Sequence, residues 1–147
     1  MRFSYDRFVD GAVIRLVPQF PRVLSRTSAE CGRASVGGEI RVDLTVERRL
    51  VALELIPASK FLPVVFLKHG RNQWQPRITI EHDRSSDTAR LKFVPIVNEA
   101  DVKEAWVCDP RPISFHLGAD GKLLYMEIRE ASKYLLASTL AQANERE

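Results

Sequence analysis

A chain of 147 residues, 45% of them hydrophobic, is long enough to bury a core and too apolar to be disordered by default. Its apolar runs are short, as in Phe61 to Leu67 with Pro63 inside it, and fall well below the roughly 20 residues a bilayer-spanning helix needs, which excludes a transmembrane helix. The formal charge of +3 is too small to demand a polyanionic partner, yet residues 1–76 hold 12 Lys/Arg against 7 Asp/Glu and residues 77–147 hold 10 against 12, a balance of +5 against −2.

The first residues, Met1-Arg2-Phe3-Ser4-Tyr5-Asp6, hold no basic segment followed by an apolar run and a small-residue cleavage site, so a cytoplasmic location is expected. From Phe3 onward apolar and polar residues alternate with period 2, the pattern of strands with one buried and one wetter face. Phe3/Tyr5, Ala12/Ile14/Leu16, Ile40/Val42/Leu44 and Val51/Leu53/Leu55 form the inward set. Asp10-Gly11 and Gly37-Gly38 supply turns suited to positive φ. A weaker alternation near Arg26 to Cys31 predicts a strand between the second and fourth runs. Ala58-Ser59-Lys60 predicts a helix start, with Pro57 in its first turn and Pro63 as its stop. Residues 64–76 read as a linker in which Val64 to Leu67 are a candidate extra strand, His69 is a loop residue and Trp74 packs across the junction.

The pattern then recurs as Ile80/His82, Ala89/Leu91/Phe93, Lys103 to Cys108, Ile113/Phe115/Leu117 and Leu124/Met126/Ile128, with Asp120-Gly121 as the last turn. Glu130 to about Asn144 reads as one helix with Ala131, Tyr134, Leu135 and Ser138 on its apolar stripe. The recurrence extends to identities: Ile40 to Pro63 aligns without a gap on Ile113 to Leu136 at an offset of 73, with eight of 24 positions identical. Asp6-Arg7, Asp10, Ala12, Val17-Pro18 and Cys31 fall on Asp83-Arg84, Asp87, Ala89, Val94-Pro95 and Cys108 at an offset of 77. Two blocks in the same order, separated by one four-residue loop difference, indicate an internal duplication. The expected fold is α+β: a repeat over residues 1–63, the linker or extra strand over 64–76, and a second repeat over 77–147. Each repeat is an antiparallel β-meander ending in an α-helix, and the two pack as an intramolecular pseudo-dimer.

The order Tyr5-Asp6, Asp10, Ala12, Ile14, Leu16, followed by Leu50-Val51, Leu53-Glu54-Leu55 and Ala58-Ser59, resembles a family of small bacterial proteins classed as domain of unknown function 2283. Asp83, Asp87, Ala89 and Leu91, with Gly121, Leu123, Glu127 and Ala131-Ser132, match it more loosely in the second half. The chain departs from the family in having Val13 and Arg90 where an aromatic residue often follows the alanine, and Arg48 where the last hairpin has glycine. The resemblance implies this fold and an interaction role, with small toxin-like proteins as the implied partners, and supplies no catalytic residues.

The outward strand faces carry the candidate polar set: Arg15, Arg41, Asp43 and Glu54 in the first half, and Lys92, His116 and Glu127 in the second. His116 with Glu127 could serve as a general acid and base, or as a metal site if Asp43 and Glu54 join them, whereas cross-strand ion pairs on a solvated face explain the same residues. Ser59-Lys60 and Ser132-Lys133 suggest a lysine-activated nucleophile, but a serine capping a helix start accounts for them better. Cys31 and Cys108 form no C-x-x-C pair and are expected as reduced thiols. No dinucleotide, P-loop or nucleophile-elbow motif is present, and no cofactor is expected. The functional expectation is therefore a non-enzymatic binding or regulatory module acting on a protein partner, off the membrane, as a pseudo-twofold monomer or a homodimer. Its alternatives are nucleic-acid binding through Arg15, Arg41, Arg48 and Arg49, and a small-molecule or metal-dependent enzyme using His116 and Glu127.

Overall fold

The computed structural model describes residues 1–17, 38–67, 78–108 and 111–144, together with the backbone of 27–33. The first half contains β1 (Arg2–Asp6), β2 (Gly11–Arg15), β3 (Thr27–Arg33), β4 (Glu39–Leu44), β5 (Leu50–Ile56) and helix α1 (Ala58–Phe61). The second contains β6 (Thr79–Asp83), β7 (Thr88–Lys92), β8 (Glu104–Val107), β9 (Ile113–Leu117), β10 (Leu123–Ile128) and helices α2 (Ala131–Tyr134) and α3 (Ala137–Asn144). Each half forms one antiparallel five-stranded sheet, and the orders β1-β2-β5-β4-β3 and β6-β7-β10-β9-β8 are the same order written twice. Two similar α+β units result, each a hairpin joined to a three-stranded meander.

The third strand lies at the sheet edge, and β5 fills the place beside β2. The expected strand between the second and fourth runs forms, and burial explains its place at the edge. Leu50, Val51, Ala52, Leu53 and Leu55 are fully buried, so β5 is apolar on both faces and belongs at the centre. The polar segment Thr27–Arg33 suits an edge. Asp10 (φ 51), in the expected Asp10-Gly11 turn, and its equivalent Asp87 (φ 50) adopt the left-handed conformation that aspartate tolerates. Arg48 (φ 61) does the work of Gly121 (φ 77) in the last hairpin.

The two inner faces share one core, with Ile14, Ile40, Leu53 and Leu55 from one side meeting Leu91, Ile113, Phe115 and Leu117 from the other. Val64–Leu67 is a 3-10 turn and not a strand, because it follows Pro63 and turns Phe66 inward. Phe66 sits between Phe3 and Phe93, with ring centroids 5.5 and 6.4 Å away. The positions of His69 and Trp74 lie outside the described residues.

The C-terminal segment is two helices where periodicity predicts one. Glu130 is left-handed (φ 53) ahead of α2, and Leu135 is extended (φ −105, ψ 144), forming a parallel bridge with Leu50 of the first half. Contact with the other half therefore overrides local helical propensity. Beyond the break, α3 packs on β6, and Thr139 Oγ1 donates to the carbonyl of Leu16 at 3.2 Å.

The junction has the reciprocity of a twofold dimer. Arg49 of the first half donates to the carbonyls of Ser132 (3.0 Å) and Leu135 (2.8 Å). Lys122, 73 positions after Arg49, donates to the carbonyl of Ser59, 73 positions before Ser132. Edge strands β3 and β8 pack together as well. Cys108 is disulfide-bonded, and Cys31 is the only other cysteine of the sequence, which corrects the expectation of reduced thiols.

Candidate functional site

The aspartates of the two β-hairpins hold the two helix starts. The backbone N–H groups of Ala58 and Ser59 donate to the Asp10 carbonyl oxygen (2.6 Å) and Oδ1 (3.0 Å), and the Ser59 hydroxyl donates to Oδ2. In the second half the N–H of Ala131 donates to the Asp87 carbonyl (2.8 Å), and the N–H and hydroxyl of Ser132 donate to the Asp87 carboxylate. The serines thus donate to aspartate, and the first N–H groups of each helix are taken by the main-chain carbonyl and the carboxylate of an aspartate in another element, in place of a local serine cap. Burial opposes the charge on Asp10, and the hydrogen bonds from Ser59 and Tyr5 nevertheless keep its carboxyl below the ordinary carboxylate range. Asp87 is held low by Ser132 and then by His82. Tyr5 OH donates to Asp10 Oδ1 at 3.0 Å, and His82 Nε2 stands at 3.0 Å from Asp87 Oδ1 in the same role. His82 Nδ1 is buried with no hydrogen-bond partner among the described residues. These groups are a structural clamp: each serine hydroxyl is engaged by an aspartate carboxylate that also takes a helix N–H.

On the outer face of the second sheet the polar residues interlock. Arg90 on β7 bonds Glu99 (2.6 Å) from the 3-10 turn Glu99–Asp101 and Glu127 (3.3 Å) on β10, and its guanidinium lies 4.5 Å from the centre of the Tyr125 ring. Tyr125 OH donates to Glu99 at 3.1 Å. Burial, with the Glu99 carboxylate beside it, pushes the Tyr125 phenol up to about 12. Glu99 is lowered by the hydrogen bond from Arg90. The His116 ring stacks on Tyr125 at 4.3 Å and 11°, with Nε2 3.0 Å from Ser114 Oγ. Burial lowers the pKa of His116 and favours its neutral form. Lys92 pairs with Glu81 at 2.9 Å. His116 and Glu127 therefore share a face without bonding each other: the carboxylate goes to Arg90 and the imidazole to Ser114.

The equivalent face of the first sheet is built differently. Val13 stands where the second half has Arg90, and it faces Glu54 across the β2–β5 pair as Arg90 faces Glu127. Arg41 neighbours Glu54 on β4 but bonds Glu39 at 2.8 Å, and Asp43 is buried beside Ala52. Arg15 lies on the other side of Ala52. Glu54 has no ion pair or hydrogen-bond partner among the described residues, and it lines a shallow cleft of about 280 Å³ with Ser4, Asp6, Val9, Val13 and Ile56. Phe8 (88% exposed), Val9 (68%) and Ile56 (44%) rim this region. Their equivalents in the second half are Ser85, Ser86 and Arg129.

The two polar sets named from the sequence stay on their own sheets, and no group of three or more His, Cys, Asp or Glu side chains among the described residues is placed to hold a metal ion. Sequence reasoning missed Arg90, Glu99 and Tyr125, which complete the second face, and it missed the apolar rim of the first. Reading the repeat for differences would have found the rim, since Phe8-Val9 against Ser85-Ser86 is visible in the alignment. It saw Asp10 and Asp87 as turn residues and not as helix clamps. No helix among the described residues is long and apolar enough to cross a membrane. Comparison with protein-family models, with curated proteins and with solved structures finds no match.

Proposed function

We propose that this chain is a non-enzymatic protein-binding module that contacts its partner through the outer face of the first sheet, around the β1–β2 turn. The observation carrying the reading is the exposed apolar set Phe8, Val9 and Ile56 beside Val13, on a face whose repeat-equivalent is polar. Glu54 adds a recognition element. Its counterpart Glu127 is neutralised within the chain by Arg90, so a partner bringing an apolar side chain next to a Lys or Arg completes the same pair from outside.

The non-enzymatic part of the reading is supported by the engagement of His116 and Glu127 with separate neighbours. A nucleic-acid role has less support, since Arg49 is committed to main-chain carbonyls and Arg41 to Glu39. The disulfide at Cys108 fits an oxidising compartment better than the cytoplasm expected from the N-terminal residues.

Affinity capture from native lysate, run in parallel with the wild-type chain and Val13→Arg, tests the reading. Val13→Arg fills the cleft and gives Glu54 an internal partner, as in the second half. A specific protein is expected with wild type and is lost with the equally folded variant. Recovery of the same protein by both, or of none at cellular concentration, defeats the reading.

A further inference from the structure

Four strands end the two sheets, and the chain treats them unequally. Edges β3 and β8 pack on each other, and α3 packs against β6. The remaining edge, β1, has β2 as its only extensive neighbour among the described residues. A bare strand edge offers N–H and C=O groups to another strand.

The residues of β1 favour a particular occupant. In Arg2-Phe3-Ser4-Tyr5-Asp6 the even positions are exposed on the outer face, whereas Phe3 and Tyr5 pack against the core. An antiparallel copy of this strand centred on Ser4 sets Arg2 opposite Asp6 twice, with Ser4 opposite itself. Within the chain neither charge finds such a neighbour: Arg2 stands across from Arg15, a like charge, and Asp6 across from Gly11, which has no side chain. Arg2 makes no ion pair among the described residues, and Asp6 uses Oδ1 to accept from the N–H of Phe8 at 2.9 Å, which leaves Oδ2 for a second copy. The equivalent strand β6 reads Thr79-Ile80-Glu81-His82-Asp83, so the same pairing there would oppose Glu81 to Glu81 and provide no cation for Asp83. Glu81 already has its partner in Lys92. Among the described residues, the self-complementary edge is thus the one with no extensive helix contact, and the self-repelling edge is the one against which α3 packs.

We propose that two copies of this chain pair through β1, antiparallel and centred on Ser4, to give a continuous ten-stranded sheet. The twofold axis is perpendicular to that sheet, so both clefts beside Glu54 lie on the same side and the dimer offers a bivalent face. This goes beyond the protein-binding reading and stands apart from it, since the edge and not the cleft makes the contact.

Sedimentation velocity on the purified full chain, with native mass spectrometry to identify mixed species, tests the pairing. Wild type is expected to dimerise. Arg2→Asp and Asp6→Arg each convert two attractive pairs into two repulsive ones and weaken the dimer about tenfold. An equimolar mixture of the two variants regains wild-type affinity as a heterodimer, because each supplies the charges the other needs. Ser4→Lys and Ser4→Glu provide a pair that leaves the Asp6 turn bond untouched: each alone dissociates the dimer, and their mixture restores it. A wild-type chain that stays monomeric at about 100 μM, single variants that dimerise as well as wild type, or mixtures that fail to recover would overturn the pairing. Loss of the dimer with partner capture still sensitive to Val13→Arg would sink this inference alone.

Discussion

Positions 13 and 90 occupy the same place in two sheets of the same strand order, and one carries valine where the other carries arginine. Around Arg90 the second half has Glu99, Glu127, Tyr125 and His116 locked into mutual contacts. Around Val13 the first half has a Glu54 with no ion pair among the described residues and exposed Phe8, Val9 and Ile56. A duplicated fold has two copies of every surface but needs only one for binding. The copy that closes its surface with internal ion pairs shows what the open copy lacks.

The comparison presupposes that the halves face each other across a pseudo-twofold axis, and the strongest way to break it is to cut the tie between them. Cys108→Ser is expected to cost about 4.5 kcal/mol, the loop-closure value for a crosslink spanning 77 residues. Thermal melts with and without reductant check this. Wild type should lose stability on reduction and the variant should not respond.

Next in size are the two clamps, which test whether the halves are alike where they appear alike. Asp10→Ala and Asp87→Ala each remove the acceptor for a helix N–H and a serine hydroxyl, and each should cost about 2 kcal/mol by chemical denaturation. Because both carboxyls are depressed in the folded chain, their contribution is present above the unfolded pKa near 4 and is lost as pH falls through the folded values. Asp87→Asn should therefore flatten the loss of stability below about pH 4. An unchanged acid limb would show that the clamp does not form.

Two exchanges between the halves sharpen the contrast. His82→Tyr installs the residue of the first half and removes the unpartnered ring nitrogen, so it should stabilise by about 1 kcal/mol. Val13→Arg should add about 0.5 kcal/mol through a new cross-strand pair with Glu54 while removing partner binding. Opposite signs of the two effects would mark position 13 as one held for the proposed contact.

Much of the fold was legible because alternation and repetition are direct marks of half-buried strands: the inward set Ile14, Ile40, Leu53, Leu91, Ile113 and Phe115 is the core. The break at Leu135 was not legible, since its cause is Leu50, 85 residues earlier in the chain. The disulfide was hidden for the same reason. The packing of β3 on β8, distant in the chain, brings the halves together at these strands. The candidate polar set was half legible. Period 2 put Glu54, His116 and Glu127 on outer faces, but which partner each takes depends on Arg90, Val13 and the turn that delivers Glu99.

The most direct test places a photo-crosslinking benzoylphenylalanine at position 8 in one preparation and at the equivalent position 85 in another. Irradiation in native lysate should give a discrete adduct with another protein from position 8, absent when Val13→Arg is combined with it, and none from position 85. The same adduct from both positions, or an adduct from position 85 alone, would contradict the assignment of binding to the first half.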